Sequence, residues 1–195
     1  TIITAITVKH SINTTFSTST DVATAADATG NGNDASFRLG VAFHLPGYRH
    51  PTEKEKHASR AAHFAGGRVV AEVPATEAFT VEFWLWNGAI KSPRGRDSYV
   101  AEFAGLHLRI FEVTNVKEPV LTIVPGRVGR APVSPRIWHH VAVVGRAGNY
   151  QLWVNGVRHL DEQWELNHNG QSPKMKLVFG GSDDGLIDFA GKLDE

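Results

Sequence analysis

The stretch Trp138 to Val157, "WHHVAVVGRAGNYQLWVNGV", predicts three consecutive β-strands. Two apolar runs alternate with polar residues at period two, the pattern of strands with one buried face. The polar segment "GRAGN" at 145–149 predicts a five-residue turn between the first two strands. Asn155-Gly156 between Val154 and Val157 is a strong signal for a two-residue type I′ hairpin, because both positions of that turn need positive φ. The stretch therefore predicts an antiparallel meander.

His139 and His140 raise the question of a metal site in this meander. Adjacent strand residues point to opposite faces of a sheet, so both imidazoles cannot reach one metal ion without a bulge. We therefore interpret them as packing or hydrogen-bonding residues. The histidines outside the meander at positions 44, 50, 57 and 63 show no metal-ligand spacing either.

The rest of the chain repeats the rhythm of short strands. Thr80 to Trp86, "TVEFWLW", puts Val81, Phe83 and Leu85 on one face and the two tryptophans on the other. "SYVAEFAG", "LHLRIFEV" and "VLTIV" continue the pattern, and "SRAAHFAGGRVVAEV" predicts two short strands around Gly66-Gly67. Only "TEKEKHASRAAHF" at 52–64 is compatible with a helical turn. Many short strands separated by turn residues predict an all-β sandwich.

Composition restricts the classes of function. The 195 residues contain 20 Lys plus Arg and 20 Asp plus Glu, so no net charge attracts a phosphate backbone, and a nucleic-acid partner is disfavoured. Cysteine is absent, which excludes Cys-type zinc sites, Fe–S clusters and cysteine nucleophiles. No apolar run approaches the roughly 20 residues of a membrane-spanning helix, so membrane insertion is not expected.

Four motifs in order resemble the laminin G-like domains of the concanavalin A-like lectin superfamily. The meander is similar to their "W-x-H-V-A … L-Y-V-[ND]-G" signature, and "DATGNGNDA" at 27–35 is similar to their early Gly-Asn turn. "AAHFAGGRVVAEV" with "FTVEFWLW" is similar to their "F-x-G … v-x-V … F-T-v-x-x-W" strands, and "FGG … FAGKLDE" to their "F-x-G-x-I-D-E" ending. The resemblance covers residues 10 to 195. It implies one domain over 1–195, folded as a two-sheet antiparallel jelly-roll sandwich.

The two ends of the chain depart from the family pattern. Family members continue past the Asp-Glu pair with one more strand, whereas this sequence stops at Glu195. Three alternatives stay open: a processed or truncated product, strand addition from another chain, or a self-contained variant closure. Residues 1–9 form either an N-terminal arm or an extra strand, since "TIITAITVKH" is β-branched and long enough to add to an open sheet edge.

The turn "DATGNGND" is the first candidate metal site. Asp and Asn oxygens in tight turns are the ligands that Ca²⁺ prefers, and the resemblance implies that the closing acidic pair lies nearby. The predicted calcium ligands are Asp27, Asn31, Asn33, Asp34, Asp194 and Glu195. The alternative is a plain turn in which Asp27 caps backbone amides. "GGSDDG" at 180–185 is a second, weaker acidic loop.

A ligand surface is the second candidate site. Trp84, Trp86 and Trp153 share the parity opposite to the core residues, and aromatic rings on a sheet face suit sugar rings or a protein partner. The alternative is that loops cover them. The loop at 91–98 adds Arg94 and Arg96 as candidates for binding anionic glycans, and "GRVGR" at 126–130 is a similar basic loop.

No catalytic site is expected. Glycoside hydrolysis needs two carboxylates facing each other across the sugar, and the nearest stretch, "LDEQWE" at 160–165, is interpreted as a rim. We therefore expect a non-catalytic recognition module, extracellular, on the cell surface or periplasmic, that binds a glycan or an extracellular protein and belongs to a larger polypeptide. Cell adhesion is one such role. The alternative is a structural subunit of an extracellular assembly, joined to like subunits by strand addition.

Overall fold

A computed structural model describes most of the chain. It covers residues 24–25, 27, 29–37, 40–49, 60–88, 97–111, 118–125, 130–146, 148–163 and 174–194. The predicted N-terminal arm, most of the 52–64 segment, Arg94, Arg96 and Glu195 lie outside these residues. Within the described ranges every regular element is a β-strand, and no helix there has the length and apolarity to cross a membrane.

Fifteen strands make up the described structure. They are β1 (Thr24–Ala25), β2 (Ala35–Phe37), β3 (Val41–Pro46), β4 (Arg60–Ala65), β5 (Val69–Pro74), β6 (Ala78–Asn87), β7 (Ser98–Phe103), β8 (Leu106–Phe111), β9 (Val120–Val124), β10 (Ala131–Pro132), β11 (Trp138–Arg146), β12 (Asn149–Val154), β13 (Val157–Gln163), β14 (Lys174–Phe179) and β15 (Ala190–Asp194).

The strands form two sheets whose ladders are all antiparallel. One sheet has the order β1-β2-β5-β14-β7-β8-β9-β10 and the other the order β13-β12-β11-β6-β15-β4-β3. Aromatic pairs connect the inner faces: Phe79 meets Phe103 edge to face at 6.0 Å, and Phe83 meets Phe179 at 5.8 Å. The predicted all-β antiparallel sandwich is confirmed.

Alternation decides which side chains enter the core. Along β6 the residues Phe79, Val81, Phe83 and Leu85 are buried, while the residues between them are half-buried or exposed. β8 and β12 show the same pattern. Period-two sequence patterns therefore identified the inner faces correctly, because a strand turns successive side chains to opposite sides.

The meander forms as predicted, with longer strands. Asn155 and Gly156 both have positive φ, 52° and 77°, the requirement of a type I′ turn. The predicted five-residue turn at 145–149 is wrong, because β11 continues to Arg146 and β12 starts at Asn149. Arg146 pairs with Asn149. Pairing with the neighbouring strand extends the ladder into residues that look like a loop by composition.

The strands around Gly66-Gly67 lie in different sheets. β4 belongs to the seven-stranded sheet and β5 to the eight-stranded sheet, so this connection joins the two layers. The expected helical turn is wrong over Arg60–Phe64, which lies in β4. β4 pairs with β3 and β15, and this pairing overrides the local helical compatibility of the alanine-rich sequence.

Candidate functional site

The outer face of the seven-stranded sheet carries the main cluster of large aromatic side chains. Its members are Trp84 and Trp86 from β6, Trp138 and His140 from β11, Trp153 from β12 and Tyr48 from the segment after β3. We call this set the aromatic face. Each of these side chains is half-buried. They are neither core residues nor freely exposed. Their burial therefore lies between the two alternatives drawn from the sequence, an exposed ligand surface and rings covered by loops.

The first cross-strand row of the aromatic face contains His63, Lys192, Trp86 and Trp138. The register pairs His63 with Lys192, Lys192 with Trp86, and Trp86 with Trp138. Neighbouring strands lie about 4.8 Å apart, so this row is about 14 Å wide. The Lys192 amine lies 5.1 Å from the centre of the Trp86 ring, in cation–π contact.

The second row lies two residues further along the strands and contains Asp194, Trp84 and His140. Asp194 pairs with Trp84, and Trp84 with His140, whose ring meets the indole edge to face at 5.1 Å. Tyr48 stacks on Trp84 with 3.4 Å between ring centroids and 10° between planes. The Tyr48 amide donates to Asp194 Oδ2 at 2.6 Å, which holds the tyrosine in place.

Tyr48 was missed by the sequence analysis. It lies beyond the end of β3, so no strand periodicity places its side chain on a face. The signal available was the turn sequence "LPGY", in which Pro46 and Gly47 end a strand and redirect the chain. Its position over Trp84 depends on β15 lying between β4 and β6, which no local pattern shows.

Trp153 occupies a third row with Glu82 and Ala142. Its indole Nε1 donates to Gln151 Oε1 at 3.2 Å, and the Arg158 guanidinium lies 6.0 Å from its ring centre. Arg158 also pairs with Asp161 at 2.8 Å. Trp153, which the sequence predicted as a ligand residue, is thus on the same face as Trp84 and Trp86. It lies on the side next to the edge strand β13.

Carboxylates on this face do not present a free pair among the residues with known placement. Asp194 is buried and accepts the Tyr48 amide, while Glu82 is exposed. Asp161 lies on β13 at the sheet edge and is paired with Arg158. Asp161 is exposed at the sheet edge, and residues 164–165 of the stretch interpreted as a rim lie outside the described residues.

His139 and His140 point to opposite faces, as expected. His139 is buried, with Nε2 3.0 Å from the Ser134 carbonyl and Nδ1 3.2 Å from the Asn155 amide nitrogen. Because the Asn155 Nδ2 group donates, Nδ1 accepts and the imidazole carries its proton on Nε2 for Ser134. His139 is a hydrogen-bonded scaffold residue, and His140 packs on the aromatic face.

The turn at 27–34 is closed by hydrogen bonds to Asp27. Oδ1 accepts from the Thr29 amide at 2.8 Å and hydroxyl at 2.6 Å, and Oδ2 accepts from the Asn33 amide at 3.1 Å. The Thr29 hydroxyl, followed by the Thr29 amide, lowers the pKa of the Asp27 carboxyl below its ordinary 3.8. Asp34 Oδ1 accepts the Asp27 amide. The interpretation of Asp27 as a cap of backbone amides is confirmed.

Calcium binding at this turn stays a prediction. Both Asp27 oxygens are directed to donors of the turn itself, and the Asn31 side chain donates to the Thr29 hydroxyl. Across the described ranges, no group of three His, Asp or Glu side chains is arranged around a metal position, so Asp194 does not join Asp27 and Asp34 in one cluster. The predicted ligand Glu195 lies outside those ranges.

The acidic loop at 180–185 is held by internal contacts. Buried Arg68 donates to the Ser182 carbonyl and to Asp188 Oδ1, the latter at 2.8 Å. The Ser182 hydroxyl lowers the pKa of the Asp184 carboxyl below its ordinary value. Asp183 pairs with Lys176 at 2.6 Å. The contacts give this loop a structural role, and its weaker calcium prediction is untested.

A cavity of about 90 Å³ lies between the sheets, lined by side chains such as Phe37, Phe43 and Phe83. Ligand pockets for small molecules usually measure about 300–1,000 Å³. The volume of this cavity is below that range. The aromatic face remains the candidate site.

Comparisons with known proteins agree on the fold. No protein-family model and no curated protein matches the chain. The solved structures that are similar to it include three that align over most of this chain. Domain 4 of AbnA, a GH43 extracellular arabinanase from Geobacillus stearothermophilus in complex with arabinotriose, has a TM-score of 0.55 at 15% identity, covering 86% of this chain and 82% of that one.

The second similar structure is the native heptameric SAP-like pentraxin from Limulus polyphemus, with a TM-score of 0.51 at 15% identity over 80% of this chain and 74% of that one. The third is the binding domain of Paraclostridial Mosquitocidal Protein 1, with a TM-score of 0.57 at 13% identity over 86% of this chain and 44% of that one. At 13–15% identity the likeness shows the fold alone. The chain therefore has the predicted jelly-roll, concanavalin A-like fold.

Proposed function

We propose that this chain is a non-catalytic, laminin G-like recognition module that binds a glycan on the aromatic face. The observation that carries the proposal is the pair of tryptophans at adjacent register positions, Trp86 and Trp138, beside the stacked Tyr48–Trp84 pair. Aromatic rings provide a large apolar surface together with a polar edge, the combination that a sugar ring needs. Because aromatic rings are present in two rows, one sugar ring could stack on each row, and the ligand would be an oligosaccharide rather than a single sugar.

Two of the similar structures support this proposal. The GH43 arabinanase domain was solved in complex with arabinotriose, and the structure from Paraclostridial Mosquitocidal Protein 1 is a binding domain. A fold hosts many functions, so the argument for this chain rests on its aromatic face. The proposal includes an extracellular, cell-surface or periplasmic site of action, a role that extends to adhesion, and a calcium ion at the 27–34 turn.

The alternative of an assembly subunit joined by strand addition is weaker. β10 has only two residues, and β3 ends at Pro46. β13 carries the Arg158–Asp161 ion pair. Short strands, proline and charges are features that block edge-to-edge pairing, so the described edges disfavour this function.

A glycan array probed with and without calcium tests the proposal, with arabino-oligosaccharides among the neutral ligands. We expect binding to at least one glycan class, followed by calorimetry on that ligand. Trp86→Ala and Trp138→Ala should each weaken binding about tenfold or more, because central aromatic residues dominate such interfaces.

Tyr99→Ala is the matched control, since Tyr99 contacts His107 on the eight-stranded sheet. It should leave the affinity unchanged. A blank array under both conditions would contradict the proposal, and so would an equal loss of affinity in the Tyr99 variant.

A further inference from the structure

Lys192 has an unusual environment for a lysine. It lies in the middle of the first row, with His63 on one neighbouring strand and Trp86 on the other. Its side chain is half-buried, and its amine contacts the Trp86 ring at 5.1 Å. A cation therefore lies on a strand beside the aromatic face, next to Trp86, rather than at a loop tip.

The Lys192 ammonium has no carboxylate partner among the placed residues, unlike the two other lysines with known placement. Lys174 pairs with Glu72 at 3.5 Å and Lys176 with Asp183 at 2.6 Å. Asp194, the nearest acid along β15, accepts the Tyr48 amide instead. A partly desolvated ammonium gains most from an anionic partner, so this position favours an acidic ligand.

We infer that the first row binds an acidic glycan, with the anionic group of a sugar at Lys192 and the sugar ring against Trp86 and Trp138. This inference rests on the proposed function and adds the class of ligand. The anionic group is a carboxylate or a sulfate ester, since both give a lysine the same ion pair. His63 lies on the neighbouring strand β4, on the side of Lys192 away from Trp86.

The spacing of Lys192 and Trp86 fits a sugar that carries one anionic group. Lys192 and Trp86 are on adjacent strands, about 4.8 Å apart, so a ring lying over the indole brings a substituent within reach of the amine. The chain has no net charge, so the preference arises from this local pair. We therefore expect selectivity that weakens with salt without the steep dependence of a polyelectrolyte binder.

Calorimetry with matched ligands tests the inference. One pair is oligogalacturonate and its methyl ester, which share a backbone and differ in charge; the other is dextran sulfate and dextran. We expect at least one acidic ligand to bind about tenfold more tightly than its neutral partner. Lys192→Met should remove this difference while keeping the apolar stem, and Lys192→Arg should retain it.

Lys174→Met, on the other sheet, is the control and should keep the preference; thermal melting confirms that each variant folds. The acidic pair that binds identifies the substituent as carboxylate or sulfate. Equal affinity for charged and neutral partners overturns the inference while leaving glycan recognition intact, and so does a preference that survives in Lys192→Met. Failure to bind any glycan, neutral ones included, overturns both proposals.

Discussion

Tyr48 lies flat on Trp84, with ring centroids 3.4 Å apart and planes within 10°, although Tyr48 follows β3 and Trp84 lies on β6, two strands that are not neighbours in the sheet. The stack covers one face of the Trp84 indole. Under the proposed function, a ligand in the second row would therefore contact the outer face of the tyrosine ring, whereas Trp86 and Trp138 would supply the rings of the first row.

The Tyr48–Trp84 stack should contribute to stability. We expect Tyr48→Ala and Trp84→Ala to show a coupling energy of about 0.5–1.5 kcal/mol in a double-mutant cycle measured by urea denaturation, the range for aromatic pairs. Tyr48→Phe keeps the ring and should retain the coupling. Tyr99→Ala combined with Trp84→Ala should be additive, because Tyr99 lies on the other sheet. A coupling energy of zero for the first pair would show that the stack does not stabilise the fold.

Asn155 should stabilise the meander through its side chain as well as its backbone. Its Oδ1 accepts the His140 amide at 2.9 Å, and its Nδ2 donates to buried His139 Nδ1. Asn155→Gly keeps the positive φ of the turn but removes both bonds, so we expect a loss of about 1–3 kcal/mol in the free energy of unfolding.

Asn155→Asp separates the two bonds, because it retains an oxygen for the His140 amide but no donor for His139. Its stability, measured by chemical denaturation near neutral pH, should lie between those of the wild type and Asn155→Gly. Wild-type stability in the glycine variant would show that the turn backbone alone suffices.

The 27–34 turn should weaken in acid. The pKa of Asp27 is lowered in the folded state, first by the Thr29 hydroxyl, so its contribution is present above the unfolded pKa and is lost as pH falls through the folded value. The affected window is therefore below about pH 4. Thr29→Val removes the hydroxyl and should move the Asp27 pKa up toward 3.8, as measured by NMR titration of the carboxyl carbon.

Asp184 is the internal control for this titration. Its pKa is also lowered, first by the Ser182 hydroxyl, and should not respond to Thr29→Val. The difference in melting temperature between wild type and Thr29→Val should shrink as the pH falls below about 4. An Asp27 pKa at or above 3.8 in the wild type would contradict the hydrogen-bond arrangement.

Local sequence patterns predicted much of the fold and part of the candidate site. Period-two alternation assigned Trp84 and Trp86 to the face opposite Phe83, and it separated His139 from His140. Asn155-Gly156 located a hairpin. The boundaries were less predictable: Gly145 and Arg146 read as a turn but continue β11, because β6 and β12 provide ladder partners on both sides.

In the regular strands β6, β8 and β12, the sequence alone determined which side chains point inward, because successive residues of a strand point to opposite faces. Tertiary structure decided which outward residues meet. Lys192 reaches Trp86 and His63 only because β15, from the end of the chain, lies between β6 and β4, and Tyr48 reaches Trp84 across the same strand. Such pairings join distant parts of the chain, and their energies depend on the assembled core rather than on any local pattern.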